Sequence, residues 1–563
     1  MMSGTENEID VLVVGAGPVG LALAYALRRH GLTCRVLDQR QSPADTSRAL
    51  GVFNKTLEIF ELLGMAEQVA ARAQPVHFMN AYARGKHLMQ VSFELKDFET
   101  PFTYPVFCPQ THVEGILRQC LAEKDTPIEW GWALEMLEQD EEGVNALLRN
   151  EEGQEQQVRA RWLAGCDGGH SKVRHLLELP FEGSPDETWL VADVNLDWSL
   201  ARDSVYSFLA PEGTVMAFPF PDGKRWRLLN TTVSEQTDPA SIAEQFTTAI
   251  NNVYYDEPVV VPEPLWYSIF TIQQRHVHEM RAGHCFVVGD AAHVHSPASG
   301  QGMNTGIQDA FNLAWKLALV SRGLAEDRLL NSYSAEREPI AVTVLRGARA
   351  FTRVLGNQQS AVQQVRNTVL KGFFVLPPLR KVLNQQVSRY LSELALNYKH
   401  SPIVAEDWQV TSINARNMPG LQAGSRVPDI HYGINSKARL YDMLRDTHHT
   451  ALLFTGLKPG DDELVEVASL TEHIKQLHHG WLQLFLITPD SETYEQLKSY
   501  SSHEEVILDQ YGTLHRRFGA EGQALYVIRP DHHVGYRNQP ALADDLDHYA
   551  GRIMGIHETV PAS

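Results

Sequence analysis

The fold of the first part of the chain is decided by the stretch Ile9-Asp10-Val11-Leu12-Val13-Val14-Gly15-Ala16-Gly17-Pro18-Val19-Gly20. Its first half is an apolar run, rich in branched residues, that ends at a glycine, which is typical of a strand buried in a parallel sheet. The residues from Leu21 to His30 carry apolar side chains at helical spacing, and Gly31 ends that pattern. The order of strand, glycine turn and helix predicts a Rossmann-like α/β unit.

The glycines of this turn have separate physical tasks. Gly15 allows a tight turn, Gly17 lets a pyrophosphate approach the backbone, and Gly20 lets the helix pack closely against the strand. The following helix offers free N–H groups and the positive end of its dipole to phosphates. We therefore predict that Gly15, Gly17, Pro18 and Gly20 bind a dinucleotide; the alternative is a glycine turn without a ligand.

A second strand, Cys34 to Leu37, leads into Asp38. A carboxylate at this distance from the glycine turn is placed to accept hydrogen bonds from a ribose hydroxyl. We predict that Asp38 and its neighbour Gln39 belong to the same site. This motif alone does not distinguish FAD from NAD.

Two distant segments repeat the change from apolar strand to glycine turn to helix. One runs from Trp162 to Arg174 and contains Asp167-Gly168; its alternative interpretation is an ordinary strand-turn-helix unit capped by Ser171. The other runs from Cys285 to Asn304 and contains Gly289-Asp290. The second segment predicts a helix from near residue 302 to about residue 320, with an apolar stripe.

These segments together resemble the class A FAD-dependent aromatic monooxygenases, similar to phenol, 3-(3-hydroxyphenyl)propionate and polyketide hydroxylases. The resemblance implies an α/β fold: a Rossmann-like FAD-binding domain of the para-hydroxybenzoate hydroxylase-like type, an antiparallel-sheet substrate domain, and a C-terminal thioredoxin-like domain. It implies the boundaries 1–182 with 276–345 for the FAD-binding domain (parts of 75–105 belonging to the substrate domain), 183–275 for the substrate domain, 346–415 for a helical bridging region and 416–563 for the last domain.

The same resemblance assigns roles to single residues. Asp290 is similar to the carboxylate that bonds the ribityl chain of FAD, and Asp167 to a residue beside the pyrophosphate. Arg48 and Gln110 match an arginine and a glutamine near the flavin, although a surface polar residue is the alternative for each. The helix start is expected to stabilise negative charge on the reduced flavin. Cofactor contacts are also expected in the third segment from Pro297, Gly300, Gly302, Met303 and Asn304.

The implied chemistry is hydroxylation of a phenolic or polycyclic aromatic substrate. FAD is expected to bind tightly without a covalent bond, NAD(P)H to act as a transient reductant, and dioxygen to react through a flavin C4a-hydroperoxide. The alternatives are a monooxygenase that tailors or inactivates an antibiotic or polyketide, a flavin-containing binding protein without turnover, and a plain NAD-dependent dehydrogenase. No catalytic side chain is identified; the candidates are His295 and Pro297. Ser299 stands where the family often has glycine.

The substrate half is predicted between residues 183 and 275, where alternating patterns such as Thr214 to Pro219 and Arg225 to Asn230 are typical of antiparallel strands. Met216, Phe218 and Phe220 are candidate wall residues of the substrate pocket, although apolar strand residues are usually core. In the C-terminal unit no cysteine follows Cys285, so thiol–disulfide chemistry is excluded there.

Composition limits the other possibilities. The formal net charge of −20 argues against a nucleic-acid partner, because phosphate binding needs clustered Lys and Arg. No apolar run is long enough to span a bilayer, and the short polar start lacks the features of a secretory signal, which predicts a cytoplasmic protein. The five cysteines show no zinc spacing, and we predict no metal site. A homodimer is a further expectation.

Overall fold

The computed structural model describes residues 9–96, 98–210, 213–234, 236–294, 300–356, 377–409, 420–433, 437–478, 480–500 and 505–556. The predictions for His295, Pro297 and Ser299 lie outside the described residues, as do parts of the expected bridging region, 357–376 and 410–415.

The strands are β1 (Ile9–Val14), β2 (Cys34–Asp38), β3 (Gly51–Val52), β4 (Gln74–Pro75), β5 (Phe78–Ala83), β6 (Lys86–Ser92), β7 (Val106–Phe107), β8 (Ile128–Trp130), β9 (Trp132–Gln139), β10 (Val144–Asn150), β11 (Glu155–Gly165), β12 (Glu182–Asn195), β13 (Ser204–Leu209), β14 (Thr214–Pro219), β15 (Arg225–Asn230), β16 (Trp266–His276), β17 (Arg281–Ala282), β18 (Cys285–Val287), β19 (His293–Val294), β20 (Ala405–Trp408), β21 (His431–Tyr432), β22 (Ala438–Arg439), β23 (His449–Phe454), β24 (Leu482–Thr488), β25 (Glu505–Leu508), β26 (Ala524–Ile528) and β27 (Val534–Gln539).

The α-helices are α1 (Pro18–Arg29), α2 (Asn54–Leu62), α3 (Ala66–Ala70), α4 (Gln110–Ala122), α5 (Lys172–Leu176), α6 (Pro239–Asn251), α7 (Gly302–Ser321), α8 (Ser332–Gly356), α9 (Pro377–Ser392), α10 (Leu440–Met443), α11 (Asp461–Leu477), α12 (Ser491–Tyr500), α13 (Thr513–Phe518) and α14 (Ala543–His548). Short 3-10 turns cover Gly289–Ala291 and Asp327–Asn331, and a π-helical turn covers Tyr549–Met554. None of the helices in the described ranges has the length and apolar character needed to cross a membrane.

The first sheet has the order β17-β18-β11-β1-β2-β8, and β9 and β10 extend it from β11. Strand β1 is parallel to β11 and β2, and β11 is parallel to β18. Parallel neighbours end at the same edge of a sheet, so the turns after β1, β11 and β18 come together there. The three motif segments, which are far apart in sequence, therefore meet at one edge.

The second sheet has the order β19-β16-β12-β15-β14-β13-β5-β6. Its strands are antiparallel except for the parallel pair β13 and β5. The predicted strands Thr214–Pro219 and Arg225–Asn230 are β14 and β15 with those bounds. In sequence order β5 and β6 fall between β2 and β8, β12–β16 fall between β11 and β17, and β19 follows β18, so the chain passes between the two sheets five times.

Helix α7 lies between the cofactor motifs and the C-terminal unit. It is buried on nearly all sides, including polar Asp309, Asn312 and Lys316, and it packs against α1, α2 and α8. A helix that is buried all round belongs to the core of a large protein. The predicted helix from near residue 302 is thus observed, and the mixed α/β fold is confirmed.

A third sheet has the order β20-β27-β26-β23-β24-β25, and its edge strand β20 comes from the range 346–415 that was expected to be a helical bridge. Strands β23, β24 and β25 are parallel, whereas β26 is antiparallel to both β23 and β27. Helix α11 connects β23 to β24, and α14 follows β27. The thioredoxin-like assignment of the C-terminal unit stays a prediction.

Candidate functional site

A cavity of about 1590 Å³ is lined by residues of both the first and the second sheet. The turns after β1, β11 and β18 reach it, so Gly15, Asp167 and Asp290 face one space although they are widely separated in sequence. The predicted site residues that line the cavity are Gly15, Gly17, Pro18, Asp38, Gln39, Arg48, Gln110, Asp167, Met216, Phe218, Asp290, Gly300, Gly302 and Met303.

In the glycine turn after β1, some glycines border the cavity and others pack against the protein. Gly15 has φ +107°, a conformation that favours glycine. A Cβ at Gly20 would lie 1.9 Å from the Gly15 carbonyl oxygen, so Gly20 serves the contact between helix and strand and does not line the cavity. A Cβ at Gly17 would meet no atom within 4 Å, because this backbone borders open cavity. The turn therefore leaves space for a pyrophosphate at the N-terminus of α1.

Asp38 joins the second strand to the glycine turn. Its Oδ2 accepts the backbone N–H of Ala16 at 2.9 Å, and Arg40 donates to both of its carboxylate oxygens at 3.0 and 2.9 Å. Burial raises the pKa of Asp38, but the hydrogen bonds from Arg40 and Ala16 outweigh burial and lower it overall. The carboxylate is therefore ionised and oriented at the cavity wall, where a ribose hydroxyl can donate to it.

Asp167 lies at the end of β11 on the same cavity. Its Oδ2 accepts the backbone N–H of Val173 at 3.1 Å. Its Oδ1 is buried and has no hydrogen-bond partner among the described residues. Burial raises the pKa of this carboxyl group. A buried polar atom usually has a partner, so this oxygen is available to a hydrogen-bond donor from a bound cofactor.

Asp290 lies in the 3-10 turn after β18. Its side chain is exposed to the cavity, although the protein around it desolvates the carboxyl group and raises its pKa, an effect that His293 and Arg48 oppose. A carboxyl group that projects into a cavity in this way is suited to bind the hydroxyl groups of a polyol chain.

The N-terminus of α7 also faces the cavity. Its N-cap is Gln301, no described side chain caps this end, and Gly302 and Met303 line the cavity. The first N–H groups of a helix lack partners within the helix and carry positive partial charge. This end of α7 can therefore stabilise a negative charge on the edge of a ring bound there.

Asn304 differs from the prediction that it contacts the cofactor. It does not line the cavity; its Oδ1 accepts the N–H of Phe53 at 2.9 Å, and its Nδ2 donates to the carbonyls of Gly51 and Gly300 at 3.0 and 2.9 Å. These bonds tie β3 to the loop before α7. The Asn304 side chain therefore holds residues of the cavity wall in place without bordering the cavity itself.

The loop that carries Arg48 is held by hydrogen bonds with Gln110, which the sequence predicted for the site, and with Arg227, which it did not. Gln110 accepts the N–H of Ala49 at 3.1 Å and donates to Glu114 at 2.8 Å. Arg227 of β15 donates to the carbonyl of Arg48 at 2.9 Å. Glu114 and Arg227 also line the cavity and were missed, because a buried charge on a helix or strand has no local sequence signal.

The second sheet forms the apolar wall of the cavity. Met216 and Phe218 line it, but Phe220 does not, and its ring packs under the guanidinium groups of Arg225 and Arg227 at 4.6 and 5.3 Å. Since β14 ends at Pro219, the alternation that placed Phe220 on the same face stops before it. Wall residues from β16 and α9 were missed by the sequence analysis: Trp266, Phe270, Val387, Tyr390 and Leu391.

These residues fit a flavin dinucleotide. One part of the cavity offers a glycine turn at a helix N-terminus, an ionised carboxylate at Asp38, a second carboxyl group at Asp290 and a second helix N-terminus. The other part is apolar and lies on the second sheet. The arrangement can hold a redox cofactor with its reactive ring against an enclosed apolar space.

Comparisons with known proteins agree with this geometry. The family described as "FAD binding domain" matches residues 8–348. A 6-methylpretetramide 4-monooxygenase of Streptomyces rimosus is 41% identical over 395 residues, covering 70% of this chain and 71% of its own. A pentachlorophenol 4-monooxygenase of Sphingobium chlorophenolicum is 30% identical over 553 residues, covering 95% of this chain and 94% of its own.

A solved structure shows the same likeness in three dimensions. An anhydrotetracycline hydroxylase from Streptomyces rimosus superimposes with a TM-score of 0.70 at 26% identity, covering 98% of this chain and 100% of that chain. The superposition confirms the predicted fold of the FAD-dependent aromatic hydroxylases.

Proposed function

Because the chain belongs to the family of FAD-dependent aromatic monooxygenases, with FAD as its cofactor, we propose that it hydroxylates a polycyclic phenolic substrate with NAD(P)H and dioxygen. FAD, when bound, supplies the redox chemistry, taking electrons from the nicotinamide and activating dioxygen. The protein binds, orients and protects the reactants.

The size and lining of the cavity carry this proposal. Pockets for a single small ligand are typically about 300–1,000 Å³, whereas this cavity measures about 1590 Å³. It therefore has room for a dinucleotide and a second ligand of several rings. Met216, Phe218 and Phe270 offer that ligand an apolar face, which also keeps water away from the reacting atoms.

Each part of the cavity has a task in this proposal. The turn at Gly17 and the N-terminus of α1 hold the pyrophosphate, and Asp290 accepts hydrogen bonds from the polyol chain. The N-terminus of α7 stabilises negative charge on the pyrimidine edge of the flavin. Arg227 holds the Arg48 loop against the substrate wall by donating to the Arg48 carbonyl, while its charge is paired with Asp193.

The proposal is tested by NAD(P)H oxidation coupled to oxygen uptake. We expect polycyclic phenols to stimulate both more than single-ring phenols, with a product heavier by one oxygen atom. Val387→Trp, which narrows the apolar end of the cavity, should lower the response to polycyclic phenols. Val382→Trp is the matched control, because Val382 lies on the same helix and is 51% exposed. Stimulation by single-ring phenols alone would contradict the substrate class.

Two alternatives are distinguished by the same assay. A flavin-binding protein without turnover would retain FAD but give no substrate-stimulated oxidation. A monooxygenase that tailors or inactivates an antibiotic would use the same chemistry, and product analysis with polyketide phenols and antibiotics separates these roles. A homodimer and a cytoplasmic location stay predictions, which light scattering and cell fractionation test.

The division into four domains is also a proposal. The second sheet is built mainly from residues 182–276, with β5, β6 and the short edge strand β19, and it supports a substrate domain assembled from 183–275 and part of 75–105. The order β24-β23-β26-β27, with the first two strands parallel and the others antiparallel, supports a thioredoxin-like core after residue 416. Limited proteolysis, with the fragments identified by mass, tests these boundaries.

A further inference from the structure

We propose that His276, His278 and Glu338 form a binding site for a divalent cation of the zinc class. His276 ends β16, His278 follows two residues later, and Glu338 lies in the second turn of α8. None of the three lines the large cavity, so this site is separate from the one that binds the cofactor. The cysteine spacing of the sequence predicts no metal site, so this site depends on histidines brought together by the fold.

The ligand atoms have the spacing of a metal site. His276 Nε2 lies 3.6 Å and His278 Nδ1 lies 3.5 Å from the same oxygen, Glu338 Oε1. All the ligand atoms of this group lie within 4.8 Å of one another. Zinc bonds of about 2.0–2.1 Å place tetrahedral ligands about 3.4 Å apart. Two edges of the tetrahedron are thus already close to their final length.

The hydrogen bond on the far side of His278 selects the tautomer that a metal requires. Its Nε2 lies 3.1 Å from Glu182 Oε2. When Nε2–H donates to this carboxylate, Nδ1 of the neutral ring has a lone pair that faces Glu338. Metal-bound histidines commonly donate their second ring N–H to a carboxylate in this way. A cation between Nδ1 and Glu338 would then be bound by both the ring lone pair and the carboxylate.

The surroundings suit an exchangeable ion. The His276 and Glu338 side chains are about one fifth exposed, and His278 is more than half exposed, so an ion reaches them from solvent. Two imidazoles and a carboxylate match the ligands that zinc prefers, with water in the fourth position. The ion would join β16 to α8, which already meet where Arg349 donates to Gln274 at 2.7 Å.

A second group, His473, His478 and Asp547, provides an internal control. Trp481 Nε1–H donates to His478 Nδ1 at 3.2 Å, and an indole nitrogen can only donate. The proton of the neutral His478 ring is therefore on Nε2, which donates to Asp547 at 2.8 Å. A metal at Nε2 would require moving that proton towards the indole N–H. This group is a hydrogen-bond network that joins α11 to α14.

The test is calorimetric titration of Zn²⁺ into the full-length, tag-free, FAD-loaded protein after treatment with a chelator. We expect one saturable site per chain, at least tenfold weaker binding in both His278→Ala and Glu338→Gln, and unchanged binding in His473→Ala. Flavin absorbance and the melting temperature of the metal-free variants show that they are folded. The proposal is overturned by no saturable binding, by wild-type affinity in both site variants, or by loss of the site in His473→Ala.

Discussion

The polar groups at the two ends of helix α7 differ in whether the protein itself supplies their hydrogen-bond partners. At its N-terminus, Gly302 and Met303 border the cavity, and no described side chain caps the helix there. Further along, Asn312 and Lys316 are fully buried and both donate to Glu336 at 2.7 Å. Polar groups at the first end are left for a ligand, whereas those at the second are satisfied by the protein itself.

The second end is the junction with the C-terminal unit. Arg529 donates to both oxygens of Glu336 at 2.6 and 2.9 Å and also bonds Asp531. A second buried pair, Arg426 with Glu58, joins the same unit to α2. Burial raises the pKa of Glu336, but Arg529 and Lys316 hold it far below its usual value. The contrast between the two ends of α7 therefore indicates that the C-terminal unit completes the protein core behind the cofactor site.

The largest loss of stability is expected from breaking the buried ion pairs at the junction between α7 and the C-terminal unit. Glu336→Ala leaves Lys316 buried without its carboxylate partner, and removing one member of a buried charged pair costs about 3–5 kcal/mol. The control is Glu326→Ala, because Glu326 pairs with Arg328 at 2.6 Å while both are 48% exposed. Exposed pairs contribute about 0–1 kcal/mol. Urea denaturation measures both, and equal shifts of the midpoint would contradict the account.

The stability of the protein is expected to depend on pH through Glu393, which contacts α7 between its two ends. Glu393 is buried beside Thr305 and Gln308, and burial raises its pKa from 4.5 to about 7. Its stabilising contribution is therefore complete below about pH 4.5 and lost as the pH rises through 7. The loss is about 3 kcal/mol. Glu393→Gln should weaken the fall in stability between pH 4.5 and 8.

The control for this titration is Glu495→Gln on an exposed face of α12. It should leave the pH profile of the denaturation midpoint unchanged. A Glu393→Gln profile that parallels the wild type would show that this carboxyl group is not the one that titrates.

A smaller effect, on FAD affinity alone, is expected from a substitution at Gly17 in the glycine turn. Gly17→Val places a side chain in open cavity, so FAD should bind about 100-fold more weakly, or about 2.8 kcal/mol, while the stability of the apoprotein stays unchanged. Gly20→Val is the matched variant, because its Cβ would meet the Gly15 carbonyl oxygen at 1.9 Å and destabilise the apoprotein itself. Fluorescence titration of FAD and thermal melting measure the two effects. Identical behaviour of the variants would remove the distinction between ligand-facing and protein-facing glycines.

Local patterns predicted the cofactor half well. The strand at Ile9–Val14, the helix after it and the helix from Gly302 all follow from apolar spacing that ends at glycines. These features depend on residues close together in sequence. The meeting of the three turns follows from the observed parallel pairing of β1, β11 and β18, whose carboxyl ends share an edge.

Long-range contacts were not predictable in this way. Val387 and Leu391 reach the cavity from α9, which the sequence placed only in a bridging region. Glu336 and Arg529 are 193 positions apart, and a buried ion pair has no periodic signal. Phe220 was assigned to the wall because alternation was extended past the end of β14. Such errors arise where tertiary packing, and not local pattern, decides the place of a side chain.

The most direct test of the central claim is the ratio of FAD to protein after gentle purification. Three separate chain segments are held to converge on one flavin, so the wild type should be yellow with about one FAD per chain, and Asp290→Ala should retain much less. Asp197→Ala, a change at an exposed aspartate, should retain wild-type FAD. A colourless wild type, or full FAD content in Asp290→Ala, would contradict the account.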